Sequence, residues 1–305
     1  MLLVFGSINV DLLFKVETLA RPGETVLCPS YEVAAGGKGA NQAAAAARAG
    51  VAVRMIGHVG DDGFGRLMRQ AMAAAGVDCA SVAASNKPTG IAVIGIDRAG
   101  ENQIMVASGA NLDTRAEQVA DAELAPGVTL LCQNEVRSEA TFALLERGRT
   151  RGARTILNLA PAGPVPPRVL DALDVLVVNQ IEAKMALGGA ADGDRAALAR
   201  DLAARHALTC VVTLGAAGAL AIGPAGGHRL AALAVEPVDT TGAGDAFAGV
   251  LAAALDQGHD LAAALARASV AAGLACTRIG AQTSQPDAAE IAARLEELPA
   301  PVPLG

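Results

Sequence analysis

Short, unbroken apolar runs alternate along the chain with longer alanine-rich stretches. The runs are Leu2–Ser7, Ala52–Val59, Val128–Cys132, Arg154–Asn158, Val175–Val178 and Cys210–Leu214. Runs of this kind read as strands covered on both faces, the pattern of a buried parallel sheet. Between or after them lie Ala40–Ala49, Phe64–Ala75, Ser138–Arg149, Arg195–Arg205, Ala243–Asp256 and Leu261–Thr277, rich in strong helix formers. The alternation predicts a three-layer α/β/α sandwich around a mostly parallel sheet. Two regions break the rhythm, Leu12–Val33 and Thr89–Val106. Neither carries a long helical pattern, and in the second Ile91, Val93 and Ile96 lead into the turn Asp97-Arg98-Ala99-Gly100. They predict a small β-sheet standing off the core as a flap, over about residues 12–35 and 88–107; extra edge strands are the plainer alternative. The Pro-rich tail Pro299–Gly305 is expected to fray.

Composition narrows the classes. The chain has 305 residues, 52% hydrophobic and 18% charged, with a net charge of −7. That suffices for a large core, read here as one unit over residues 1–305. No basic run is present to grip a phosphate backbone, so a nucleic-acid partner is not expected. The longest apolar stretch, Leu261–Cys276, is short and interrupted by Arg267, so no membrane span is expected. Met1 leads straight into a strand pattern without a basic segment, which argues against a signal peptide. Cys28, Cys79, Cys132, Cys210 and Cys276 are odd in number and contain no C-x-x-C, as expected of thiols in a reducing, cytoplasmic setting.

The densest chemistry is Asp239-Thr240-Thr241-Gly242-Ala243-Gly244-Asp245, after a β-like stretch that ends at Pro237-Val238. A Gly-rich turn opens a strong helix, where orphan N–H groups and the positive dipole end favour an anion. The N–H groups of Gly242, Ala243 and Gly244 can form an anion hole for a transferring phosphoryl group, with Asp245 as base for the attacking hydroxyl. A helix-stabilising acid is the plainer role for Asp245. No Walker A pattern exists, and Phe247 breaks the dinucleotide G-x-G-x-x-G spacing.

Three further clusters carry polar groups. Gly36-Gly37-Lys38-Gly39-Ala40-Asn41 precedes a helix and offers close backbone approach, an ammonium and an amide, or else a simple helix-opening turn. Asn9 and Asp11, two apart after the first strand, point the same way on an extended chain and suit vicinal sugar hydroxyls, or else belong to a polar turn. Asn179 and Glu182 share a helical face; they read either as an N-cap with its capping-box partner or as an outer-sphere Mg²⁺ site.

Together these motifs resemble the PfkB carbohydrate kinase family, over essentially the whole chain. The resemblance runs through Gly6–Asp11, Pro22-Gly23-Glu24-Thr25, Gly36–Gln42, Gly60–Gly65, Gly109-Ala110-Asn111, Asn179–Glu182, Thr213-Leu214-Gly215, Asp239–Asp245 and Thr277–Gln282, in order. It implies a ribokinase-like fold with a β lid, and ATP-dependent phosphorylation of a sugar, with ribose the favoured acceptor. Fructose, deoxyribose or a nucleoside are alternatives, and a non-catalytic sugar- or nucleotide-binding protein is an alternative of another class. It further implies that Asp245 is the base and Gly242–Gly244 the anion hole. Asn9, Asp11, Gly37, Lys38, Asn41 and Glu135 would contact sugar. Asn179, Thr213, Gly215, Gly218 and Gly244 would line the nucleotide, and Glu182 would organise Mg²⁺. An activating K⁺ would sit among Asp239, Thr241, Ala275, Arg278, Gly280 and Ser284, and the lid would form a homodimer interface. The chain departs from the family pattern in three places. Asn134 precedes Glu135 where an apolar residue is expected, Gln180 replaces a frequent acid, and the helix around Ala268 lacks the His or Asn that borders adenine.

Overall fold

The computed structural model describes residues 1–186 and 195–304. Its strands are β1 Leu2–Phe5, β2 Asn9–Lys15, β3 Tyr31–Gly36, β4 Val53–Gly60, β5 Val82–Ser85, β6 Gly90–Ile96, β7 Asn102–Ala107, β8 Thr129–Cys132, β9 Arg154–Asn158, β10 Val175–Asn179, β11 Thr209–Thr213, β12 Ala219–Gly223, β13 Gly226–Leu230 and β14 Val302–Leu304. Its helices are α1 Lys38–Arg48, α2 Gly63–Ala74, α3 Ser138–Arg151, α4 Pro167–Leu170, α5 Gln180–Ala186, α6 Arg195–His206, α7 Ala243–Asp256, α8 Leu261–Ala275 and α9 Ala288–Arg294. Among the described residues, ten strands form one sheet in the order β14-β13-β12-β11-β10-β9-β8-β1-β4-β5. It is parallel from β11 to β5 and antiparallel from β12 outward.

The layers follow from side-chain alternation. Leu2 and Val4 of β1 face one core with α1, α2, α7 and α8, while Leu3 and Phe5 face another with α3, α4 and α6. Val175 and Val177 repeat the first choice on β10, and Leu176 and Val178 the second. Continuous apolar runs are what a sheet covered on both faces requires. The three-layer sandwich with a mostly parallel sheet is thus present.

The flap is present as a second sheet of order β3-β2-β6-β7. β2 pairs antiparallel with β3 and parallel with β6, and β6 pairs antiparallel with β7. Four differences from the sequence reading stand out. The first strand stops at Phe5, and Asn9 already belongs to the flap. The β-like stretch read as ending at Pro237-Val238 is no strand: residues 231–238 leave the sheet to reach the glycine turn. The last helix of the pair ends at Ala275 rather than Thr277, where the Thr277 hydroxyl turns back onto the Leu274 carbonyl. The tail does not wholly fray: Val302–Leu304 pairs with β13 as an edge strand, where Pro303 costs little because an edge residue need not donate.

Candidate active site

α1 and α7 cross closely, and the crossing builds the site. Gly249 lets them approach: a Cβ there would strike the Gln42 carbonyl and lie 2.8 Å from Ala45 Cβ. α7 opens at Gly242, which holds φ 77°, and a Cβ there would meet Ala281 Cα at 2.8 Å. Only glycine satisfies both the left-handed turn and that contact at low cost. Among the described residues, the N–H groups of Gly242, Gly244 and Asp245 have no hydrogen-bond partner, whereas Ala243 N–H donates to the Thr240 carbonyl at 3.3 Å. Of the three expected donors, Gly242 and Gly244 are therefore free, and Asp245 N–H joins them.

Asp245 is buried, with 8% of its surface exposed. Its Oδ2 accepts from Asn41 Nδ2 at 3.0 Å and its Oδ1 from Gln42 Nε2 at 2.9 Å. Asn41 Oδ1 accepts from Gln282 Nε2 at 3.1 Å, so this amide is already committed on both ends. Gln42 and Gln282 lie inside recognised motifs, yet the bond of Gln42 to Asp245 and that of Gln282 to Asn41 depend on tertiary packing. Local sequence carries no signal of it.

Beside Asp245 lie four more charged side chains. The field of Asp245, then of Glu135, Glu182 and Asp11, raises Lys38 above the usual lysine range against the opposing effect of burial. Burial, then Glu135 and Asp245, push Asp11 up to about 7, and Lys38 opposes them. Glu135 accepts from Ser7 Oγ at 2.6 Å and from the Lys38 N–H at 3.0 Å, which ties the start of α1 to the end of β1. Asn9 Oδ1 accepts from Asn111 Nδ2 at 2.7 Å, fixing the root of the flap. Asn179 and Glu182 form the N-terminal lock of α5: Asn179 Oδ1 accepts from Ile181 and Glu182 N–H, and Glu182 Oε2 accepts from Asn179 N–H at 2.7 Å. Burial raises Glu182 above its usual range, while the Asn179 N–H and Lys38 pull the other way.

Two cavities meet here. One, of about 140 Å³, is lined by Lys38, Asn158, Asn179, Glu182, Gly242 and Asp245. The other, of about 470 Å³, runs past Gly215, Gly218, Val235, Phe247 and Ser269 to Cys276. Thr213 and Gly244 border both. Ser269 Oγ is buried on the larger cavity with no hydrogen-bond partner among the described residues. This is the polar group on that wall which inspection for a His or Asn passes over.

Behind the turn, Asp239 Oδ1 accepts from Thr241 N–H and Oδ2 from Gly280 N–H, both at 2.9 Å. Burial pushes the Asp239 carboxyl up, but these bonds outweigh it and hold the carboxyl below its usual range. Ser284 Oγ donates to the Ala281 carbonyl. The Arg278 guanidinium turns away to Glu290. Thr241, Arg278 and Gly280 thus lie on two loops that Asp239 joins, and Ala275 is the last residue of α8. Among the described residues, no cluster of three or more His, Cys, Asp or Glu side chains could hold a metal ion. No described helix is long and apolar enough to cross a membrane.

The profile of the pfkB family carbohydrate kinases matches residues 1–288. The chain belongs to this family. It is 34% identical over 300 residues to the ribokinase of Haemophilus influenzae, covering 97% of this chain and 98% of that one. It is 33% identical over 298 residues to the deoxyribokinase of Salmonella typhi, covering 93% and 94%. The crystal structure of ribokinase from Thermotoga maritima superposes with a TM-score of 0.89 at 30% identity, over 97% of this chain and 99% of that one. The structure of Arabidopsis thaliana ribokinase complexed with ribose and ATP superposes with a TM-score of 0.88 at 30% identity, over 97% and 98%. In this pfkB-family chain the glycine turn and Asp245 share a cavity with Asn158, Asn179 and Thr213, the last residues of β9, β10 and β11, where open α/β sheets place their ligands.

Proposed function

We propose that the chain is an ATP-dependent sugar kinase, a ribokinase that transfers the γ-phosphoryl group of ATP to the 5-hydroxyl of D-ribose. The observation that carries this reading is the buried Asp245 at the opening of α7, beside the unpaired N–H groups of Gly242 and Gly244, where the two cavities meet. The sugar hydroxyl gives its proton to Asp245 as its oxygen attacks the γ-phosphorus. The bond from that phosphorus to the β–γ bridging oxygen breaks, and ADP leaves. A loose phosphoryl-transfer transition state needs positioning and charge stabilisation more than early proton removal. Fixed N–H donors, the α7 dipole and the Lys38 ammonium meet that need. Asn9, Asp11, Gly37, Lys38, Asn41 and Glu135 form the sugar end, and closure of the flap excludes water from it. Asn179, Thr213, Gly215, Gly218 and Gly244 form the nucleotide wall.

Glu182 lines the cavity beside Asp245 and would be the protein carboxylate for a Mg²⁺ ion carried mainly by water and phosphate oxygens. When bound, Mg²⁺ neutralises charge on the β- and γ-phosphates. The oxygen-only donor set of Asp239, Thr241, Ala275, Arg278, Gly280 and Ser284, with Arg278 contributing its carbonyl, fits K⁺. Asp239 already holds the two loops that shape the anion turn, so a cation there tightens the turn rather than touching substrate. The flap presents Tyr31, Val33, Ile104, Met105 and Val106 to solvent, which supports a homodimer through this surface. Five free thiols and dependence on ATP suit the cytoplasm. Residues 1–305 are taken as one kinase unit.

The test is an ADP-release assay with Mg²⁺-ATP against ribose, 2-deoxyribose, fructose, adenosine and inosine. Each is run with K⁺ or a bulky organic cation. The expected result is K⁺-dependent turnover of ribose with the product phosphorylated at the 5-oxygen. A stronger preference for 2-deoxyribose retains the mechanism and changes the acceptor. Turnover of no acceptor overturns the reading.

A further inference from the structure

Asp245 is gripped from behind by a chain of buried primary amides. Gln42 is fully buried on α1 and uses both hydrogens of its amide. One goes to Asp245 Oδ1 at 2.9 Å and the other to Asn158 Oδ1 at 2.8 Å. The Gln42 oxygen accepts from Nε2 of Gln133, itself fully buried, at 2.7 Å. On the other side Asn41 donates to Oδ2 and is itself held by Gln282, which donates to the Asn41 oxygen.

The direction of this chain is set at Asp245. An ionised carboxylate only accepts, so the Gln42 atom facing it must be nitrogen. That turns the Gln42 oxygen towards Gln133 and requires nitrogen there in turn. The far end, Gln133 Oε1, is buried without a partner among the described residues. The fold bears that cost while every link nearer Asp245 is satisfied. Each Asp245 oxygen accepts one amide hydrogen and keeps lone-pair capacity for the cavity side.

We propose that Gln42 is a positioning residue for phosphoryl transfer: it sets the rotation of the Asp245 carboxylate so that a free lone pair meets the acceptor hydroxyl. The proposal rests on the reading of Asp245 as base. Gln42 is fully buried and lines neither cavity, so its effect belongs in the chemical step rather than in binding. A displacement of about 1 Å at a reacting group can cost on the order of 10²-fold in rate.

The experiment compares Gln42→Met, Gln42→Glu and Asp245→Asn with the wild type, measuring kcat and both KM values from pH 5.5 to 8.5. Gln42→Met is expected to lower kcat by roughly 10- to 100-fold with both KM values within about threefold. In Gln42→Glu the introduced carboxyl donates to Asp245 only while protonated. Its kcat should therefore fall about tenfold per pH unit above that group's own pKa, a dependence the wild type lacks. A role in packing alone gives no such proton dependence. A folded Gln42→Met enzyme with kcat within twofold of wild type overturns the proposal. So does a Gln42→Glu profile parallel to wild type, which decides the matter if the Met variant fails to fold. An active wild type with unaffected Gln42 variants overturns this inference alone; an inactive wild type, or an Asp245→Asn enzyme with full activity, overturns the base assignment with it.

Discussion

Asp11 gives the sharpest pH prediction. Burial, reinforced by Glu135 and Asp245, raises its pKa from 3.8 to about 7. In the free enzyme it therefore carries a proton through mildly acidic pH. A sugar hydroxyl that donates to Asp11 needs the carboxylate, so binding must first expel that proton. At pH 6 only about a tenth of molecules are ionised, and at pH 8 about nine-tenths. Sugar affinity should therefore be roughly tenfold weaker at pH 6 than at pH 8, equivalent to about 1.4 kcal/mol. Stability of the unliganded protein takes the opposite sign. A folded-state pKa above the unfolded one means the fold binds the proton more tightly, so this contribution is greatest below pH 3.8 and has gone by about pH 7. Calorimetric titration of ribose from pH 5.5 to 8.5, with Asp11→Asn as the control, tests both the sign and the site. Wild-type affinity should rise with unit slope and level off near pH 7, and the variant should bind weakly with a flat profile. An affinity that falls with pH, or a variant that keeps the wild-type slope, refutes the reasoning.

Other substitutions probe separate parts of the site. Gly249→Val forces α1 and α7 apart where a Cβ already meets the Gln42 carbonyl, so it should cost about 1–3 kcal/mol in denaturant unfolding and lower kcat more than either KM. Ser269→Ala removes the unpaired hydroxyl on the larger cavity; a lost hydrogen bond of about 0.5–1.5 kcal/mol should raise the KM for ATP by roughly 2- to 12-fold and leave that for ribose unchanged. Met105→Lys places a charge on the exposed flap face; in sedimentation analysis wild type is expected to sediment as a dimer and the variant to shift towards monomer.

The sheet and most helices were legible in the sequence because burial on both faces leaves unbroken apolar runs. β9 and α7 begin and end where the pattern places them. The β12–β13 hairpin was not legible: Ala219–Gly223 and Gly226–Leu230 flank a turn at Pro224-Ala225, and alanine-rich flanks blur its period. The edge strand at Val302–Leu304 was hidden by Pro303, which an edge position tolerates. At the site, glycine turns and acids stand out locally, as at Gly242 and Asp245. The supports of Asp245 do not. Gln133, Gln42 and Asn158 are buried amides set in or beside apolar segments, far apart in sequence, and only the packing of α1 on α7 and the sheet brings them together. Asn41 shows the same limit. Its place in the glycine cluster is legible locally, but its hydrogen bonds to Asp245 and Gln282 are set by tertiary packing.

The central claim is that Asp245 takes the proton of a sugar hydroxyl during transfer from ATP. The direct measurement is single-turnover phosphorylation of ribose by wild type and Asp245→Asn, with ribose and ATP binding measured in parallel. The account predicts a loss of about 10²- to 10⁴-fold in the rate of transfer, with both substrates still bound within severalfold of wild type. An Asp245→Asn enzyme that transfers phosphate at the wild-type rate would contradict it.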